Sequence, residues 1–421
     1  MRVLHLSWEY PPLVYGGLGR HVHALAEAQA AAGHDVVVVT QHPGTPGVAL
    51  DERVNGVRVL RAPHDPPVIE MSDFLAWVVS LEHALVRPAL ALGRSWVPEV
   101  VHAHDWVVAH AAATLRQAFG VPIVATMHAT EAGRHQGWLP SDLSRSIHTT
   151  EWWLTFEARR VITCSASMRD EVTRLFELPP AKVDVVANGV DLARWRTTRR
   201  ATGAARKEYA GAGPLVLFSG RLEYEKGVHT LIDAMPALRR RFPDIRLVVV
   251  GKGGMADELK ARATRKRLGK SVRFTGFLAE GELAALYAAA DVAVVPSSYE
   301  PFGLVALEAA ALGTPLVVAR TGGLAELVQD RVSGLLFPAS DHGALADAVT
   351  EVLSDDVLAR RIARAAKGRL LSDHSWSTIA AQTVDVYRRS VDEERVLVAS
   401  QGARPELWMV VRDGNLLRDT P

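Results

Sequence analysis

Residues 1–40 read MRVLHLSWEYPPLVYGGLGRHVHALAEAQAAAGHDVVVVT, and this stretch contains the pattern that decides the fold. Short β-branched runs at residues 3–7 and 36–40 predict two strands. Residues 21–32 between them have helical composition and end at Gly33, a residue that often terminates helices. A strand, a helix and a second strand at this spacing predict one βαβ unit of a parallel sheet.

The same alternation continues along the chain and then begins again. In the first half, further strands are predicted at residues 100–103, 123–126, 160–164 and 183–187. In the second half, strands are predicted at residues 215–220, 246–250, 272–274, 292–296 and 316–319. We therefore expect two tandem, doubly wound α/β domains with parallel sheets, which face a central cleft where ligands of such paired domains usually bind.

A polar, basic stretch at residues 194–213 separates the two runs, and its composition predicts a solvated linker. A last helix is expected to pack back on the N-terminal domain. The tail after it departs from the alternation, has strand composition at residues 406–411, and is given no role. The expected boundaries are residues 1–198 for the N-terminal domain, 199–213 for the linker and 214–375 for the C-terminal domain. The final helix is expected at residues 376–392 and the tail at 393–421.

Composition excludes several classes of protein. Among 421 residues, 48 are basic and 47 acidic, and a net charge of +1 argues against a nucleic-acid-binding protein. The single cysteine, Cys164, excludes an intramolecular disulfide and a zinc site built from cysteines. The N-terminus lacks a signal-peptide pattern, and Glu308 interrupts residues 303–319, the likeliest candidate for a membrane span. We expect a cytoplasmic protein without a transmembrane segment.

The strongest local signal is SYEPFGLVALE at residues 298–308, which follows a predicted strand and opens a helix. The free amides and the dipole at a helix N-terminus attract anions such as phosphate. Glu300 precedes this helix, and Glu308 lies about two turns along it. A solvent-facing position is one interpretation of Glu308. Because its neighbours are nearly all apolar, we expect it instead to have a specific partner.

A second signal, GRLEYEKG at residues 220–227, also lies between a strand and a helix. Its cations, Arg221 and Lys226, suit a diphosphate, the first by a bidentate fork and the second as a point charge. Taken alone, the segment could equally be a charged surface turn balanced by Glu223 and Glu225. Together with the Glu300 segment, it favours phosphate binding.

The first half of the chain contributes glycines and histidines. Gly16 and Gly17 precede the first helix and allow a ligand close to the backbone, but the dinucleotide spacing GxGxxG is missing. The HAHD motif at residues 102–105 has the spacing of metal ligands, and His128 follows a predicted strand. Surface or helix positions explain most of the 16 histidines equally well. With no sharper ligand spacing, we expect no metal site.

These residues together resemble a known family. The tandem layout with Glu300-x7-Glu308 resembles the retaining GT-B glycosyltransferases of family 4, over residues 1 to about 390. SWEYPPLVYGGLGRHV at 7–22, HAHDW at 102–106 and the Arg221 and Lys226 pair resemble bacterial glycogen synthase and actinobacterial α-1,4-glucosyltransferases. The sequence departs from this pattern before the glycine pair, because Val14-Tyr15 stands where glycogen synthases commonly have Lys-Thr.

The resemblance implies a metal-independent enzyme without a cofactor, with ADP- or UDP-glucose as donor and an α-glucan or oligosaccharide as acceptor. The C-terminal domain would bind the nucleotide sugar. There Arg221 and Lys226 would hold the diphosphate, Glu308 would bind the ribose hydroxyls, and Glu300 would contact the donor sugar. Amides of Gly303 and Leu304 would reach the sugar or the phosphates.

The N-terminal domain would take the acceptor side. His128 would meet the sugar 6-hydroxyl, with its backbone carbonyl facing the anomeric carbon, and Gly16 and Gly17 would approach the phosphates. The residues expected near the acceptor are Glu9, Asp105, Trp106 and Glu131.

Other functions remain as alternatives. A family 4 enzyme could use another sugar or acceptor, such as a glycolipid, a small molecule or a sugar phosphate. The same fold could support a nucleotide-sugar epimerase, or a phosphorylase with a lysine that carries pyridoxal phosphate; Lys226, the one lysine in a clear ligand loop, already has a phosphate role. A regulator that binds the nucleotide sugar without turnover is disfavoured by the intact set of charged residues.

Overall fold

A computed structural model describes residues 1–63, 69, 73–93, 95–192 and 194–401 of the chain. These residues form two compact units. The first unit contains Met1–Ala187 and the C-terminal segment that begins at Trp376. The second unit is Asn188–Ser375. The chain therefore leaves the first unit once and returns to it at its C-terminal end.

The described part of the first unit contains an eight-stranded sheet with the order β3-β4-β2-β1-β5-β6-β7-β8. All neighbouring strands are parallel except β3 and β4, which form an antiparallel pair. The strands are β1 (Arg2–Leu6), β2 (Asp35–Gln41), β3 (Asp51–Val54), β4 (Val57–Ala62), β5 (Val100–His104), β6 (Ile123–Met127), β7 (Arg160–Thr163) and β8 (Val183–Val185). The helices are α1 (Gly17–Ala31), α2 (Phe74–Leu92), α3 (Ala109–Phe119), α4 (Glu131–Arg134), α5 (Asp142–Glu157) and α6 (Ala166–Leu175).

The second unit has a fully parallel six-stranded sheet, in the part that is described, with the order β11-β10-β9-β12-β13-β14. The strands are β9 (Leu215–Ser219), β10 (Arg246–Val250), β11 (Val272–Gly276), β12 (Val292–Val295), β13 (Leu316–Ala319) and β14 (Leu335–Phe337). The helices are α7 (Arg199–Tyr209), α8 (Val228–Arg241), α9 (Ala256–Arg265), α10 (Glu280–Ala289), α11 (Leu304–Leu312), α12 (Gly322–Leu327), α13 (His342–Ser354) and α14 (Asp356–Asp373). The last helix of the chain, α15 (Trp376–Gln401), belongs to the first unit.

Both sheets consist of short runs of valine, leucine and alanine because helices cover both of their faces. In β2, every residue after Asp35 is buried. In the second unit, Val216, Leu247 and Val317 lie in one buried apolar cluster. This burial confirms the two parallel α/β sheets that the sequence predicts.

The strand order reverses once beside the first strand of each sheet. In the first unit β1 pairs with β2 on one side and with β5 on the other, and in the second unit β9 pairs with both β10 and β12. Ligands of doubly wound sheets bind at such a switch point, outside the carboxyl ends of the strands. Each unit therefore has its own candidate ligand-binding edge.

Where the sequence predicts a linker at residues 199–213, the structure contains helix α7. The side chain of Thr198 caps this helix by accepting the amide of Ala201 at 3.2 Å. None of the residues of α7 is buried. This helix therefore has the polar composition of a solvated segment, as the sequence predicts, but its backbone is helical. The division between the units falls after Ala187, and not at residue 198 as the sequence predicts.

Two further segments differ from the sequence prediction. The antiparallel β3 and β4 pair and helix α2 occupy a part of the chain in which the sequence analysis names no element. Helix α15 contacts α1 and continues to Gln401, into the predicted tail. The strand composition at residues 406–411 lies outside the described residues.

Among the described residues, one helix, α2, is long and apolar enough to cross a membrane. Residues 303–319, the likeliest membrane-span candidate in the sequence analysis, instead form α11 and β13. Helix α2 contacts α3, β2 and β4, and its Trp77, Leu81 and Leu85 are buried. These contacts are typical of a core helix.

Candidate active site

An ion pair marks the switch point of the second unit. The ammonium of Lys226, in a short 3-10 turn after β9, donates to Oε2 of Glu300 at 2.8 Å. The hydroxyl of Ser297, just after β12, donates to the same oxygen at 3.2 Å. The Lys226 and Glu300 side chains are only 18% and 14% exposed. The structure thus brings together the two charged segments that the sequence analysis singles out separately.

Arg221 lies on the same loop as Lys226 and is more accessible. Its guanidinium donates to Oε1 of Glu225 at 3.2 Å, and its side chain is 46% exposed. The backbone carbonyl of Glu225 accepts the amide of Ser298 at 2.8 Å, which ties this loop to the loop that carries Glu300. Two cations therefore lie on a loop whose backbone is fixed against the neighbouring strand end.

Glycine allows these loops to approach each other. Gly227 has φ of +69°, and a Cβ atom there would lie 1.9 Å from the carbonyl oxygen of Pro296. Gly303 has φ of +110°, and its Cβ would lie 2.6 Å from Cδ2 of Leu324. An L side chain at either position would have to displace its neighbour and adopt a backbone conformation that glycine favours.

Helix α11 begins directly after Gly303, so that Leu304 is its first residue. The first amides of a helix have no partner within it and carry the positive end of its dipole. The backbone of Glu300 is held from the other side, because its carbonyl accepts the amide of Gly323 at 2.9 Å. Glu308 lies on α11 with 5% of its surface exposed. Two cations and a helix N-terminus at a switch point form a site suited to a diphosphate.

The switch point of the first unit is built from histidines instead. His5 in β1 and His102 and His104 in β5 are fully buried, and His128, which follows β6, is half-buried. Nδ1 of His5 is hydrogen-bonded to Nε2 of His104 at 3.0 Å. Nδ1 of His104 is hydrogen-bonded to Nε2 of His128 at 3.2 Å. The spacing that resembles metal ligands is thus part of a hydrogen-bonded row of imidazoles.

Burial keeps these imidazoles uncharged at neutral pH. It lowers the pKa of His5 to about 4 and that of His128 to about 3. Burial and the neighbouring histidines also lower the pKa values of His102 and His104 well below their ordinary range. A buried imidazole favours its neutral form because a charged ring would lose its hydration.

Asp105 supports the backbone beside His128. Its Oδ1 accepts the amide of His128 at 2.7 Å, and its own backbone has φ of +59°. Burial raises the pKa of Asp105 to about 6. Asp105 directly follows β5, and its carboxyl group therefore holds the loop after β6 at His128.

Glu9 anchors the glycine loop before α1. Its Oε2 accepts the amides of Tyr15 at 2.8 Å and Gly16 at 3.0 Å. Burial raises the pKa of Glu9, although the hydrogen bonds from the loop amides act in the opposite direction. Gly17, the next residue, is the first of helix α1. An internal carboxylate thus already uses part of the anion-binding capacity of this loop.

Two groups of three histidines have ring nitrogens within 4.8 Å of one another. The first group is His5, His102 and His104, and the second is His21, His104 and His128. Both ring nitrogens of His5, His102 and His104 are already hydrogen-bonded to protein groups. Asp105 is in neither group. These three rings therefore fit a hydrogen-bonded network better than a metal-binding ligand set.

The comparisons with known proteins decide the family. Residues 15–194 match the family described as Glycosyltransferase Family 4, and residues 204–369 match Glycosyl transferases group 1. The chain belongs to these glycosyltransferases. It is 50% identical over 405 residues to the glycogen synthase of Mycobacterium tuberculosis, covering 94% of this chain and 96% of the relative.

Other relatives of this glycosyltransferase have different names. The alpha-maltose-1-phosphate synthase of Mycobacterium tuberculosis is 32% identical over 411 residues, covering 92% of this chain and 99% of the relative. The structure of a sucrose-phosphate synthase from Thermosynechococcus elongatus matches with a TM-score of 0.78 at 26% identity, covering 92% and 98% of the two chains. These matches confirm the GT-B fold and the enzyme class that the sequence predicts.

The glycosyltransferase also has a row of aromatic side chains that sequence analysis misses, apart from Trp106. Trp106 contacts Phe74 with ring centroids 5.8 Å apart, and Phe74 stacks on Trp77 at the same distance. Trp77 contacts Trp8 at 6.0 Å, and Trp8 stacks on Tyr15 at 5.3 Å. The row comes from separate segments of the first unit, so no local sequence pattern reveals it.

Glu131 lies at the start of α4, where its carboxylate pairs with His135 at 3.2 Å. Its amide donates to Glu151 at 2.8 Å. Glu151 is a buried carboxyl group that the sequence analysis does not identify, and burial raises its pKa well above the usual range. A helical pattern alone does not distinguish this position from a solvent-facing glutamate.

Proposed function

We propose that this glycosyltransferase moves α-glucose from ADP- or UDP-glucose to the non-reducing end of an α-1,4-glucan, with retention at the anomeric carbon. The observation that carries the proposal is the Lys226 and Glu300 pair, with Arg221 beside it, at the switch point of the second unit. The mycobacterial glycogen synthase supports glucose as the sugar and a glucan as the acceptor. A nucleotide-sugar donor implies a reaction in the cytoplasm.

The second unit would bind the donor. Arg221 and Lys226 would hold the diphosphate, which gains negative charge as the glycosidic bond breaks. Lys226 is paired with Glu300 in the structure, so a diphosphate would take over part of that pairing and leave Glu300 to contact the sugar. Glu308 would accept hydrogen bonds from the ribose hydroxyls, and the amides of Gly303 and Leu304 would reach the sugar or the phosphates.

Retention requires the acceptor to enter on the face that the phosphate leaves, or a covalent intermediate on an enzyme nucleophile. The family resemblance puts the backbone carbonyl of His128, and not a carboxylate, at the opposite face of the sugar, which disfavours Glu300 as that nucleophile. We favour a same-face step, in which the bond from the anomeric carbon to the phosphate oxygen breaks as the bond to the acceptor oxygen forms. The acceptor hydroxyl proton passes to the leaving phosphate, whose charge Arg221 and Lys226 stabilise.

The first unit would contribute His128 and the acceptor surface. His128 would contact the 6-hydroxyl of the donor sugar, and the carbonyl of its backbone would face the anomeric carbon. Tyr15 is 57% exposed and stacks on Trp8, and both lie in the aromatic row. The apolar C–H faces of glucose rings can stack on such side chains, as apolar groups do on aromatic rings in general. Tyr15 also stands where glycogen synthases commonly have threonine.

We expect neither a metal nor a cofactor, because Arg221 and Lys226 can neutralise the leaving group. A panel of ADP-, UDP- and GDP-glucose, scored by release of nucleotide with and without a maltooligosaccharide, tests the donor. Proton NMR of the product tests the linkage. We expect release that depends on the glucan, and a new α-1,4 anomeric signal.

The same panel separates the alternatives. A β-anomeric signal, or transfer to sugar phosphates or lipids and not to a glucan, contradicts the proposal. Change of the sugar without an acceptor indicates an epimerase. Nucleotide binding without release indicates a regulator.

A further inference from the structure

A depression at the amino edge of the first unit's sheet lies away from the groups that the proposed function uses. It has a volume of about 490 Å³, and its lining includes the C-terminal end of α5, the start of β7 and the turn before β8. His128 follows the carboxyl end of β6, so the length of that five-residue strand, about 16 Å, separates the two edges. The depression is therefore not part of the donor or acceptor site proposed above.

Charged side chains of both signs line this depression. The cations are Arg116, Arg159, Arg160 and Lys182, and the carboxylates are Glu157 and Glu393. Each of the three guanidiniums has a nitrogen within 3.0 Å of a carboxylate oxygen of Glu157, Glu394 or Asp184. The arginines therefore already have their counter-charges within the protein.

Lys182 is the exception among these cations. Its ammonium donates to the carbonyl of Phe156 at 2.9 Å, at the C-terminal end of α5, and it forms no ion pair with a described residue. The turn that carries it is fixed, because the Lys182 amide donates to the carbonyl of Pro179 at 2.9 Å and Arg160 donates to the carbonyl of Ala181 at 3.3 Å. The bond to α5 accounts for one of the three N–H groups of the ammonium, and no described residue accepts the other two.

The charge of Lys182 lacks compensation in the protein. Burial lowers the pKa of its ammonium to about 8, and Arg159 and Arg116 lower it in the same direction, whereas Glu157 raises it. An anion beside this ammonium would favour its charged form. A phosphate group has three acceptor oxygens, so one such group can contact the ammonium and a neighbouring guanidinium together.

An exposed aromatic ring forms a wall of the same depression. The side chain of Phe156 is 61% exposed, and its ring centroid lies 6.0 Å from Nζ of Lys182. Trp152, one helical turn earlier on α5, stacks on this ring at 5.7 Å with planes that differ by 19°. The C–H face of a sugar ring can pack on such an aromatic side chain. The ligand that fits both features has a phosphate group at one end and a sugar ring at the other.

We propose that this depression binds a sugar phosphate, with the phosphate group on the ammonium of Lys182 and the sugar ring packed on Phe156. The site goes beyond the proposed function, because it lies at the opposite edge of the sheet and takes no part in sugar transfer. Inorganic phosphate would make the first of these contacts and not the second. The two contacts can therefore be tested separately.

The direct test is the acylation of lysines by acetic anhydride at pH 7.5, read peptide by peptide by mass spectrometry, with and without glucose 6-phosphate. We expect the ligand to protect Lys182. Lys260, which pairs with Asp257 on the surface of α9, is the internal control and should react equally in both samples. Unchanged acylation of Lys182 overturns the proposal. Protection of Lys226 alone would place the phosphate group at the proposed donor site and would also overturn it.

Substitution of Lys182 tests the charge. Lys182→Met keeps the approximate size and should weaken glucose 6-phosphate binding about ten- to hundredfold in calorimetry, because a charge-assisted hydrogen bond is lost. Lys182→Arg keeps a cation and should retain most of the affinity, and Lys260→Met should bind as the wild type does. Equal affinity in Lys182→Met and the wild type contradicts the proposal. If Lys182→Met fails to fold, the protection measurement on the wild type still decides.

The pH dependence identifies the same cation. Because the pKa of Lys182 is about 8, the affinity of the wild type for glucose 6-phosphate should fall about tenfold between pH 7.5 and pH 9.5. Lys182→Arg stays charged in this range and should lose little affinity. A wild-type affinity that does not change with pH would exclude Lys182 as the cation that binds the phosphate group.

Substitution of Phe156 tests the sugar contact. Phe156→Ala should weaken glucose 6-phosphate binding about tenfold and leave the affinity for inorganic phosphate unchanged. Equal affinity of the wild type for these two ligands would overturn the assignment of a sugar phosphate. None of these measurements uses sugar transfer, so their outcome is independent of the proposed function.

Discussion

The polar groups at the two switch points differ in how they are held. In the first unit, neutral imidazoles hydrogen-bond to one another inside the protein, and His5, His102 and His104 are fully buried. In the second unit, the cations pair with carboxylates, and Arg221 is half-exposed. The imidazoles of the first unit have their partners inside the protein, whereas ion pairs near the surface can exchange a carboxylate for a phosphate.

This difference predicts different responses to acid, charge removal and backbone change. Burial of neutral groups makes the first unit sensitive to protonation. Glycine turns and paired charges make the second unit sensitive to side-chain substitution.

Acid should destabilise the first unit more than the second. His5 has a pKa of about 4 when folded and about 6.5 when unfolded, so the unfolded chain binds more protons between these values. The free energy of unfolding therefore falls as the pH decreases through this range, by about 2 kcal/mol at pH 5 for His5 alone. His102 and His104 add to this loss, since burial also lowers their pKa values.

Asp105 opposes part of the acid effect, because burial raises its pKa to about 6 and protonation then favours the folded state. Its contribution at pH 5 is about 1 kcal/mol. Urea unfolding at pH 7 and pH 5, with hydrogen exchange read separately on peptides of each unit, measures the difference. Equal losses in the two units would contradict the expectation.

Substitution of Gly227 should destabilise the second unit. An alanine Cβ would overlap the carbonyl of Pro296, and the backbone conformation favours glycine. We expect Gly227→Ala to lower the free energy of unfolding by about 3 kcal/mol. Gly203→Ala is the control: no atom outside α7 lies within 4 Å of its Cβ, and alanine there should raise stability by about 1 kcal/mol. Denaturant titration of both variants checks the pair, and similar values would contradict the structural argument.

Removal of the Lys226 ammonium should lower turnover by about a hundredfold or more, because a positioned cation at developing charge contributes a few kcal/mol. Lys266→Ala is the matched control, since Lys266, the residue after α9, pairs at 3.0 Å with Asp233 on α8 of the same unit. Initial rates with saturating donor measure the effect. Near-normal turnover in Lys226→Ala would remove this residue from the proposed site.

Neutralising Glu308 should weaken donor binding without unfolding the protein. Loss of a charge-assisted hydrogen bond to the ribose costs about 1.5–3 kcal/mol. Calorimetry of ADP and UDP binding to Glu308→Gln measures this change. Glu351→Gln, at a surface ion pair with Arg331, should leave the affinity unchanged. Equal affinity in both variants would return Glu308 to a structural role in α11.

Chelation should have the smallest effect. If Arg221 and Lys226 supply the positive charge, activity should survive EDTA, as measured by nucleotide release before and after dialysis. Loss of activity that a divalent ion restores would contradict this expectation. The histidine groups around His104 would then have to be reconsidered as ligands.

The fold class can be predicted from the sequence, because the alternation of apolar strands and helices is local and repeats along the chain. The sequence also identified the charged loops at Lys226 and Glu300, since such residues at strand ends stand out in an apolar context. Helix α7 was misinterpreted because none of its residues is buried, so its composition matches that of a linker.

Contacts between residues that are distant in sequence are visible only in the folded protein. Lys226 and Glu300 form a pair across 74 positions, and His102 and Tyr387 across 285. The imidazole row also contacts Gln29 and, through it, Tyr387, and neither residue lies in a recognisable motif. Local propensity sets the period of a helix or strand, but strand order and burial determine which side chains share a hydrogen bond and which imidazoles remain neutral.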